Sequence, residues 1–307
     1  MNMTVDKQNK DVCYNDEEHT YWNKDGTFIS VTTLIGKFCP KFDKDFWSAY
    51  KAIEKLLSKE EFAMVKGEMQ KTHRVDVEGL MNIYGFTLND FNREQQNILD
   101  EWQKTNKDSC ERGTEIHAIL EQQYTSKKTT DLKKYGLGGK FEVNTNKSLD
   151  SNGKDLLSVE RGVFPEYLIY RVSEDGLFKL AGQIDLLIKD GNDIYIFDYK
   201  TNSKLDSKSF WNPSTKKNQM MQYPLNNIMD CNKMHYTLQL STYAWMIQKL
   251  NPEFVIKKLM LIHYDHKGNV TEHDVDYLKE DVIRMCSFYK KQCVLQDLKE
   301  SRKPIEF

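Results

Sequence analysis

Two acids and a lysine in the second half of the sequence have the types and spacing for metal-dependent chemistry. Asp198 and Lys200 stand two positions apart at the end of an apolar run, residues 194–197, that predicts a strand. Alternate residues of a strand share one face, so both side chains project together. Asp185 lies in the preceding apolar segment, across a turn at residues 190–193. An acid in such a segment is costly to bury unless it is paired or binds a cation.

The chemistry that such a cluster could support is phosphodiester hydrolysis. Two carboxylates brought together repel each other, and a divalent cation between them removes the repulsion. Carboxylate oxygens are ligands that Mg²⁺ and Mn²⁺ prefer. A lysine beside the cation can hold or deprotonate water and stabilise negative charge that develops on a phosphoryl group. The competing interpretation is an ordinary surface ion pair, which a D-x-K triplet alone does not exclude.

The composition favours a soluble globular protein. The 307 residues include 44 Lys and Arg and 46 Asp and Glu, a formal net charge of -2. This balance excludes binding of nucleic acid through bulk positive charge, but not an enzyme with one basic groove. Six cysteines without a C-x2-C pair predict reduced thiols. Because no apolar run reaches the length of a membrane span, we expect a cytoplasmic location, in the host if the protein is viral.

The first part of the sequence predicts a hairpin followed by helices. The hairpin is expected to turn at residues 23–26, and Ser30 is placed to cap a helix start. Apolar residues recur at helical spacing in 43–70 and in 88–125. In the latter segment we expect two helices, separated near 108–109.

The remainder predicts a sheet with later helices. Residues 126–155 are polar and rich in Lys, Thr, Asn, Ser and Gly, which predicts a long loop or mobile insertion. The elements predicted after it are strands at 159–163, 165–172, 178–188 and 194–199, a helix at 234–250, a strand at 256–264 and a helix at 274–298. This order indicates an α/β or α+β core that carries a helical N-terminal part.

Four short motifs follow one another between residues 112 and 243. They are Gly113-Thr114-Glu115-Ile116-His117 (G-x-x-x-H), Gly182-Gln183-Ile184-Asp185 (G-x-x-D), Asp198-Tyr199-Lys200-Thr201 (D-Y-K-T) and Gln239-Leu240-Ser241-Thr242-Tyr243 (Q-x-x-x-Y). In this order they resemble the motifs of the RecB-like exonuclease branch of the PD-(D/E)XK nuclease superfamily. The segment Ser30–Leu34 with Trp47 is also similar to mitochondrial genome-maintenance exonucleases and phage exonucleases.

The resemblance implies a domain arrangement. Residues 109–307 would form a restriction-endonuclease-like α/β core, a mixed central sheet flanked by helices, with the polar insertion at 126–155. Residues 1–108 would form an N-terminal hairpin and helical region. Within it, residues 40–108 are long enough for an arch that threads a DNA strand.

The resemblance also implies a metal site. The implied ligands are Asp185, Asp198, His117 and the backbone carbonyl of Tyr199. Lys200 would be the catalytic lysine, and Glu166 would orient a water or a second ion. A lone histidine is more commonly structural, but the nuclease motifs around His117 favour ligation. A mixed imidazole and carboxylate set suits one or two ions of Mg²⁺ or Mn²⁺.

Contacts to nucleic acid are expected from five residues, which are Gln239, Tyr243, Thr201, Trp47 and Lys51. Gln239 and Tyr243 share one helix face, where they could hold DNA or merely cap the core. Trp47 and Lys51 could stack a base and bind a phosphate. The alternative for their helix is a charged face with its aromatic residues packed inward.

These patterns predict a metal-dependent DNA exonuclease acting on single strands or free ends. The alternatives are an endonuclease of the same fold, or a catalytically silent DNA-binding or virion protein. We expect no iron–sulfur cluster, because Cys286 and Cys293 supply at most two of the C-terminal cysteine trio that some relatives use. No G-x-x-x-x-G-K-[ST] run occurs, so a helicase or other replication and recombination proteins would be separate chains.

Overall fold

The computed structural model describes residues 7–8, 11–144, 156–212 and 215–301. Its α-helices are α1 (Val31–Gly36), α2 (Lys44–Leu56), α3 (Lys59–Thr72), α4 (Val77–Tyr84), α5 (Leu88–Thr125), α6 (Asn232–Leu250) and α7 (Lys279–Glu300). The strands are β1 (Lys7–Gln8), β2 (Cys13–Asn15), β3 (Thr20–Asn23), β4 (Gly26–Ser30), β5 (Thr129–Leu132), β6 (Leu137–Val143), β7 (Arg161–Val172), β8 (Lys179–Asp190), β9 (Asp193–Lys200), β10 (Trp211–Asn212), β11 (Lys217–Asn218), β12 (Val255–Tyr264) and β13 (Val270–Asp274).

Strand β8 is the centre of a mixed sheet. Along one edge it pairs antiparallel with β7, from Lys179 to Asp190. Along the other edge it pairs parallel with β4 near its start and antiparallel with β9 near its end. Strand β9 also pairs parallel with β12, and β12 pairs antiparallel with β13. A mixed central sheet flanked by helices is confirmed, as is the helical N-terminal region.

Two apolar cores cover the faces of this sheet. The α6-side core contains side chains of α1, α6 and α7, and the α5-side core contains Leu120 and Tyr124 of α5. The side chains of Leu186, Leu187 and Ile188 on β8 are all fully buried. Strands covered on both faces are apolar at consecutive positions rather than at alternate ones. A charged residue on these strands is therefore held by the protein and not by bulk water.

The chain divides into two compact units. One comprises residues 1–39, 115–210 and 219–307, and the other comprises residues 40–114 and 211–218. The second, which we call the helical unit, has an apolar core of its own that includes Tyr50, Ile53 and Phe62. The predicted division into residues 1–108 and 109–307 stays a prediction.

Several local predictions are confirmed by the structure. The predicted turn at residues 23–26 joins β3 to β4, where Asn23 pairs with Gly26. Ser30 caps α1, because its hydroxyl accepts a hydrogen bond from the Thr33 amide. None of the described helices is long and apolar enough to cross a membrane.

Two predictions about loops and breaks are wrong. Residues 129–143 do not form a loop, since β5 and β6 pair with each other and β6 pairs with β7. Three well-spaced apolar residues, Leu132, Leu137 and Phe141, bury this hairpin in the α5-side core. Residues 145–155 of the predicted insertion lie outside the described residues. Helix α5 runs without the expected break near 108–109, because that point holds neither glycine nor proline.

Candidate active site

The predicted catalytic acids lie where the sheet forks. Strand β8 leaves the ladder with β4 at Ala181 and joins the ladder with β9 at Leu186. Residues 182–185 therefore lie in the fork between the two neighbouring strands. Asp185 is at the β9 side of this fork, and its carboxylate accepts a hydrogen bond of 2.6 Å from the Tyr199 amide. The side chain thus replaces the ladder bond at the point where β8 and β9 separate.

Glu166 lies opposite Asp185 on β7. The pairing register continues from Pro165–Leu186 to Tyr167–Ile184 on either side of this position. Glu166 has a φ of 51°, a left-handed conformation that costs a residue with a side chain about 1–3 kcal/mol. Such strain persists only where the surrounding structure holds it, and it is found preferentially at functional sites.

The alternation of side chains changes at the Glu166–Asp185 position on both strands. Phe164 and Tyr167 are three residues apart on β7, yet both enter the α6-side core. Ile184 and Leu187 do the same on β8. In a regular strand, residues three apart point to opposite faces. Because of this irregularity, the two acids do not follow the alternation of the apolar residues around them. Their carboxylates face His117.

His117 joins these acids from α5. Its Nδ1 lies 3.7 Å from Asp185 Oδ1 and 4.0 Å from Glu166 Oε1, and the three donor groups lie within 4.8 Å of one another. Its Nε2 lies 3.1 Å from the backbone carbonyl oxygen of Tyr199. Adjacent ligands of an octahedral ion with bonds of ~2.1 Å are roughly 3 Å apart, so these donor atoms would have to move closer together, by about 1 Å, to share a cation.

Asp198 and Lys200 form a buried ion pair beside that donor set. The Lys200 Nζ and Asp198 Oδ2 atoms are 2.5 Å apart, and the Asp198 side chain is 1% exposed. Burial lowers the pKa of Lys200, but the carboxylates of Asp198 and Asp185 outweigh this and raise it above its ordinary value. With Glu166, the site has three carboxylates and one ammonium, so its formal charge favours a divalent cation.

Comparison with known proteins shows the family of this chain. The model of the PD-(D/E)XK nuclease superfamily matches residues 91–281, more than half of the chain. The chain belongs to the PD-(D/E)XK nuclease superfamily. No curated protein matches the sequence.

Two solved structures are similar to this chain over part of its length. "Crystal structure of SSO0001" is 15% identical, with a TM-score of 0.27, over 44% of this chain and 50% of that one. A "Putative exonuclease" from Eubacterium rectale is 10% identical, with a TM-score of 0.29, over 47% of this chain and 53% of that one. The chain thus spans about half the length of each structure.

Gln239 and Tyr243 are buried behind Asp198. Gln239 is 7% exposed and Tyr243 is 3% exposed. The Gln239 side-chain amide lies 3.2 Å from both Asp198 Oδ1 and the Tyr243 hydroxyl. Burial raises the pKa of Tyr243, as do the nearby Tyr21 and Asp198 side chains. These contacts suit positioning of Asp198, whereas contact with DNA stays a prediction.

The other expected contact residues lie elsewhere. Thr201 is half-buried just after β9. Trp47 and Lys51 belong to α2 of the helical unit, where Trp47 packs against Phe46 and Lys51 pairs with Glu54. Their binding of nucleic acid stays a prediction.

The sequence did not single out two aromatic residues near the site, Tyr236 and Tyr21, and it gave Gly182 only as part of the G-x-x-D motif. Tyr236 lies under Lys200, with the Nζ atom 4.6 Å from its ring centroid, and accepts a hydrogen bond from Asn202. Tyr236 lies three residues before Gln239 on α6 and so shares its helix face, a spacing that could have identified it from the sequence. Burial and the Glu166 carboxylate raise the pKa of Tyr21 above its ordinary value, which places that ring near the acids. A Cβ at Gly182 would lie 2.6 Å from Tyr243 Cε1, so only glycine admits this ring.

Proposed function

We propose that this chain is a metal-dependent DNA exonuclease of the RecB-like branch, acting on single strands or free DNA ends. The supporting observation is the donor set His117, Glu166 and Asp185 next to the buried Asp198–Lys200 pair. Nuclease activity follows from the family. The metal, the substrate and the mode of cleavage are the proposed parts.

The donor set suits Mg²⁺ or Mn²⁺. His117, Glu166 and Asp185 offer one nitrogen and two carboxylates within 4.8 Å of one another, and Asp198 and the Tyr199 carbonyl lie beside them. Oxygen-rich sets favour hard divalent ions, and one imidazole shifts the preference towards Mn²⁺. A bound ion of this class supplies Lewis-acid polarisation of a phosphoryl oxygen and lowers the pKa of water.

The protein's own residues position the charges around that ion. Asp198 holds the Lys200 ammonium, and Gln239 holds Asp198 from the other side. An ammonium fixed in this way can donate to a non-bridging phosphate oxygen and stabilise charge as the phosphodiester bond breaks. Asp185 is fixed by the Tyr199 amide and cannot swing out of the site. The arrangement is preorganised before substrate arrives.

The helical unit supplies the proposed DNA contacts. Trp47 and Lys51 are four residues apart on α2 and so share one helix face. An aromatic ring beside a cation can stack a base and bind the adjacent phosphate without reading sequence. We propose that this unit guides a single strand or a DNA end. Where duplex must be unwound, a separate helicase would be needed.

Cleavage of matched linear and circular single-stranded DNA tests the proposal. Purified protein is incubated with Mg²⁺, Mn²⁺ or EDTA, and products are separated on denaturing gels. We expect mononucleotides or short products from the linear strand, an intact circle and no reaction in EDTA. Cleavage of the circle would identify an endonuclease instead. A folded protein that cleaves neither substrate with either ion would support the silent DNA-binding alternative.

A further inference from the structure

A second set of metal-binding side chains lies away from the candidate active site. The Cys39 thiol, an Asp230 carboxylate oxygen and a His235 ring nitrogen lie within 4.8 Å of one another. All three side chains are half-buried, and none of them belongs to the cluster around Asp185. The set lies within the unit formed by residues 1–39, 115–210 and 219–307.

Backbone hydrogen bonds fix each of the three residues. The Cys39 amide donates to the Gly36 carbonyl at the end of α1. The Asp230 amide donates to the Gln219 carbonyl, which holds the loop before α6. His235 lies in the first turn of α6, where its amide donates to the Cys231 carbonyl. Two segments, the end of α1 and the start of α6 with the loop before it, are therefore held with their donor atoms converging.

The geometry does not fit a catalytic triad. His235 Nε2 lies 3.4 Å from Cys39 Sγ and 2.8 Å from Asp230 Oδ1. A triad needs one ring nitrogen for the nucleophile and the other for the acid, whereas here one nitrogen faces both. Burial and the Asp230 carboxylate also raise the pKa of the Cys39 thiol to about 12, opposite to the shift that a nucleophilic cysteine needs.

The geometry does fit a small tetrahedral cation. Zn²⁺ bonds of ~2.3 Å to sulfur and ~2.0–2.1 Å to nitrogen or oxygen place ligand atoms roughly 3.3–3.6 Å apart. The sulfur–nitrogen distance of 3.4 Å lies in this range, and the nitrogen–oxygen distance of 2.8 Å is a hydrogen bond that the ion would replace. The Gln219 side chain donates to the second Asp230 oxygen at 2.6 Å, as an outer partner orients a ligating carboxylate.

We propose that Cys39, Asp230 and His235 bind a divalent transition-metal ion, with Zn²⁺ preferred, and leave one ligand position open. A thiolate ligand selects borderline or soft ions and disfavours Mg²⁺, so this site differs in chemistry from the one around Asp185. The bound ion joins the end of α1, the loop before α6 and the first turn of α6. That turn lies one turn before Gln239, so the ion stabilises the part of α6 that carries Gln239. The Gln239 side chain in turn contacts Asp198.

Titration of the full-length protein with Co²⁺ tests this site without any activity measurement. Thiolate ligation to Co²⁺ gives a charge-transfer absorption that carboxylate and imidazole ligands do not give. We expect the band to saturate at one ion per chain, to disappear on addition of Zn²⁺ and to be present in Asp185→Asn as well. It should be lost in Cys39→Ser, and His235→Ala and Asp230→Asn should weaken Co²⁺ binding by at least about tenfold.

Matched variants keep the test specific. Cys231→Ser changes the buried thiol just before α6, and Cys110→Ser changes an exposed thiol; both should keep the band. Circular dichroism confirms that each variant is folded, and if Cys39→Ser does not fold, His235→Ala and Asp230→Asn decide the outcome. A folded wild-type protein without the band, or the full band in Cys39→Ser, would overturn the proposal. Because the band reports thiolate alone, its absence leaves the proposed nuclease function unaffected.

Discussion

The charged residues of the active site and those of the helical unit are held in opposite ways. At the site, the Asp198 and Lys200 side chains are 1% and 15% exposed, and Gln239 reaches Asp198 from 41 positions away. In the helical unit the ion pairs are exposed whether they are local or not: the side chains are 49% and 40% exposed in Lys51–Glu54, and 50% and 69% exposed in Lys55–Glu101.

This difference separates charges that buried partners stabilise from charges that solvent stabilises. Exposed pairs within one helix turn contribute about 0–1 kcal/mol and accept substitution easily. Removing one partner of a buried pair leaves an uncompensated charge and is far more disruptive. Charge density alone therefore does not indicate chemistry. Burial, and not the distance between partners in the sequence, distinguishes the site from the surface.

The largest effect is expected from Asp185→Asn, which keeps the shape of the side chain and removes its charge. Loss of this carboxylate removes a proposed ligand from the donor set, so kcat on linear single-stranded DNA should fall at least ~10³-fold. Asp193→Asn, at the exposed start of β9, is the matched control and should retain activity. Equal activity in the two variants would contradict the proposal that the buried Asp185, unlike the more exposed Asp193, takes part in the reaction.

Lys200→Met should have the next largest effect. It removes the ammonium that Asp198 holds, and a loss of ~10²–10³ in kcat is expected for one charge-stabilising donor. The control is Lys189→Met, because Lys189 is also a buried lysine of the sheet but donates to the Val159 carbonyl. That variant should change the unfolding midpoint in urea and leave kcat alone. A loss of kcat in both variants would mean that the effect comes from buried charge in general.

Gln239→Leu should have an intermediate effect. The variant removes the amide that positions Asp198, and losing an outer partner of this kind typically costs 10–100-fold in metal affinity or activity. Gln248→Leu alters the same residue type on the same helix, where the side chain instead contacts Phe254 and Tyr277. Measuring the Mn²⁺ dependence of the rate separates the two variants. If Gln239→Leu changes only DNA affinity, the DNA-contact interpretation of this residue is favoured.

The sequence predicted those parts of the structure that depend on local pattern. The turn at residues 23–26, the Ser30 cap and α6 all follow from composition and spacing over a few residues. The alternation in residues 194–200 likewise placed Asp198 and Lys200 on one face, and the structure brings them together.

What the sequence could not predict depends on pairing between distant segments. The left-handed backbone of Glu166 arises where β7 and β8 change faces together, and no local pattern encodes that change. Strands β5 and β6 were missed because their stretch is mostly polar. Its three buried apolar residues stabilise these strands only by packing into a core formed by distant segments. The interaction of Gln239 with Asp198 similarly requires knowing that α6 packs behind the sheet.

The smallest effects are expected from two glycine-to-alanine changes, one in each region. At Gly182 a new Cβ would lie 2.6 Å from the buried Tyr243 ring and 3.2 Å from Val31, so Gly182→Ala should destabilise by about 1–3 kcal/mol. At Gly67, in the middle of α3, a Cβ meets nothing within 4 Å, and the better helix propensity of alanine should stabilise by about 0.5–1 kcal/mol. Urea unfolding measures both changes. The prediction is that the two changes in unfolding free energy have opposite signs. If Gly182→Ala left the stability unchanged, the Tyr243 ring would have to move to make room for the new Cβ. The packing behind Asp198 would then accommodate substitution as easily as the surface of the helical unit.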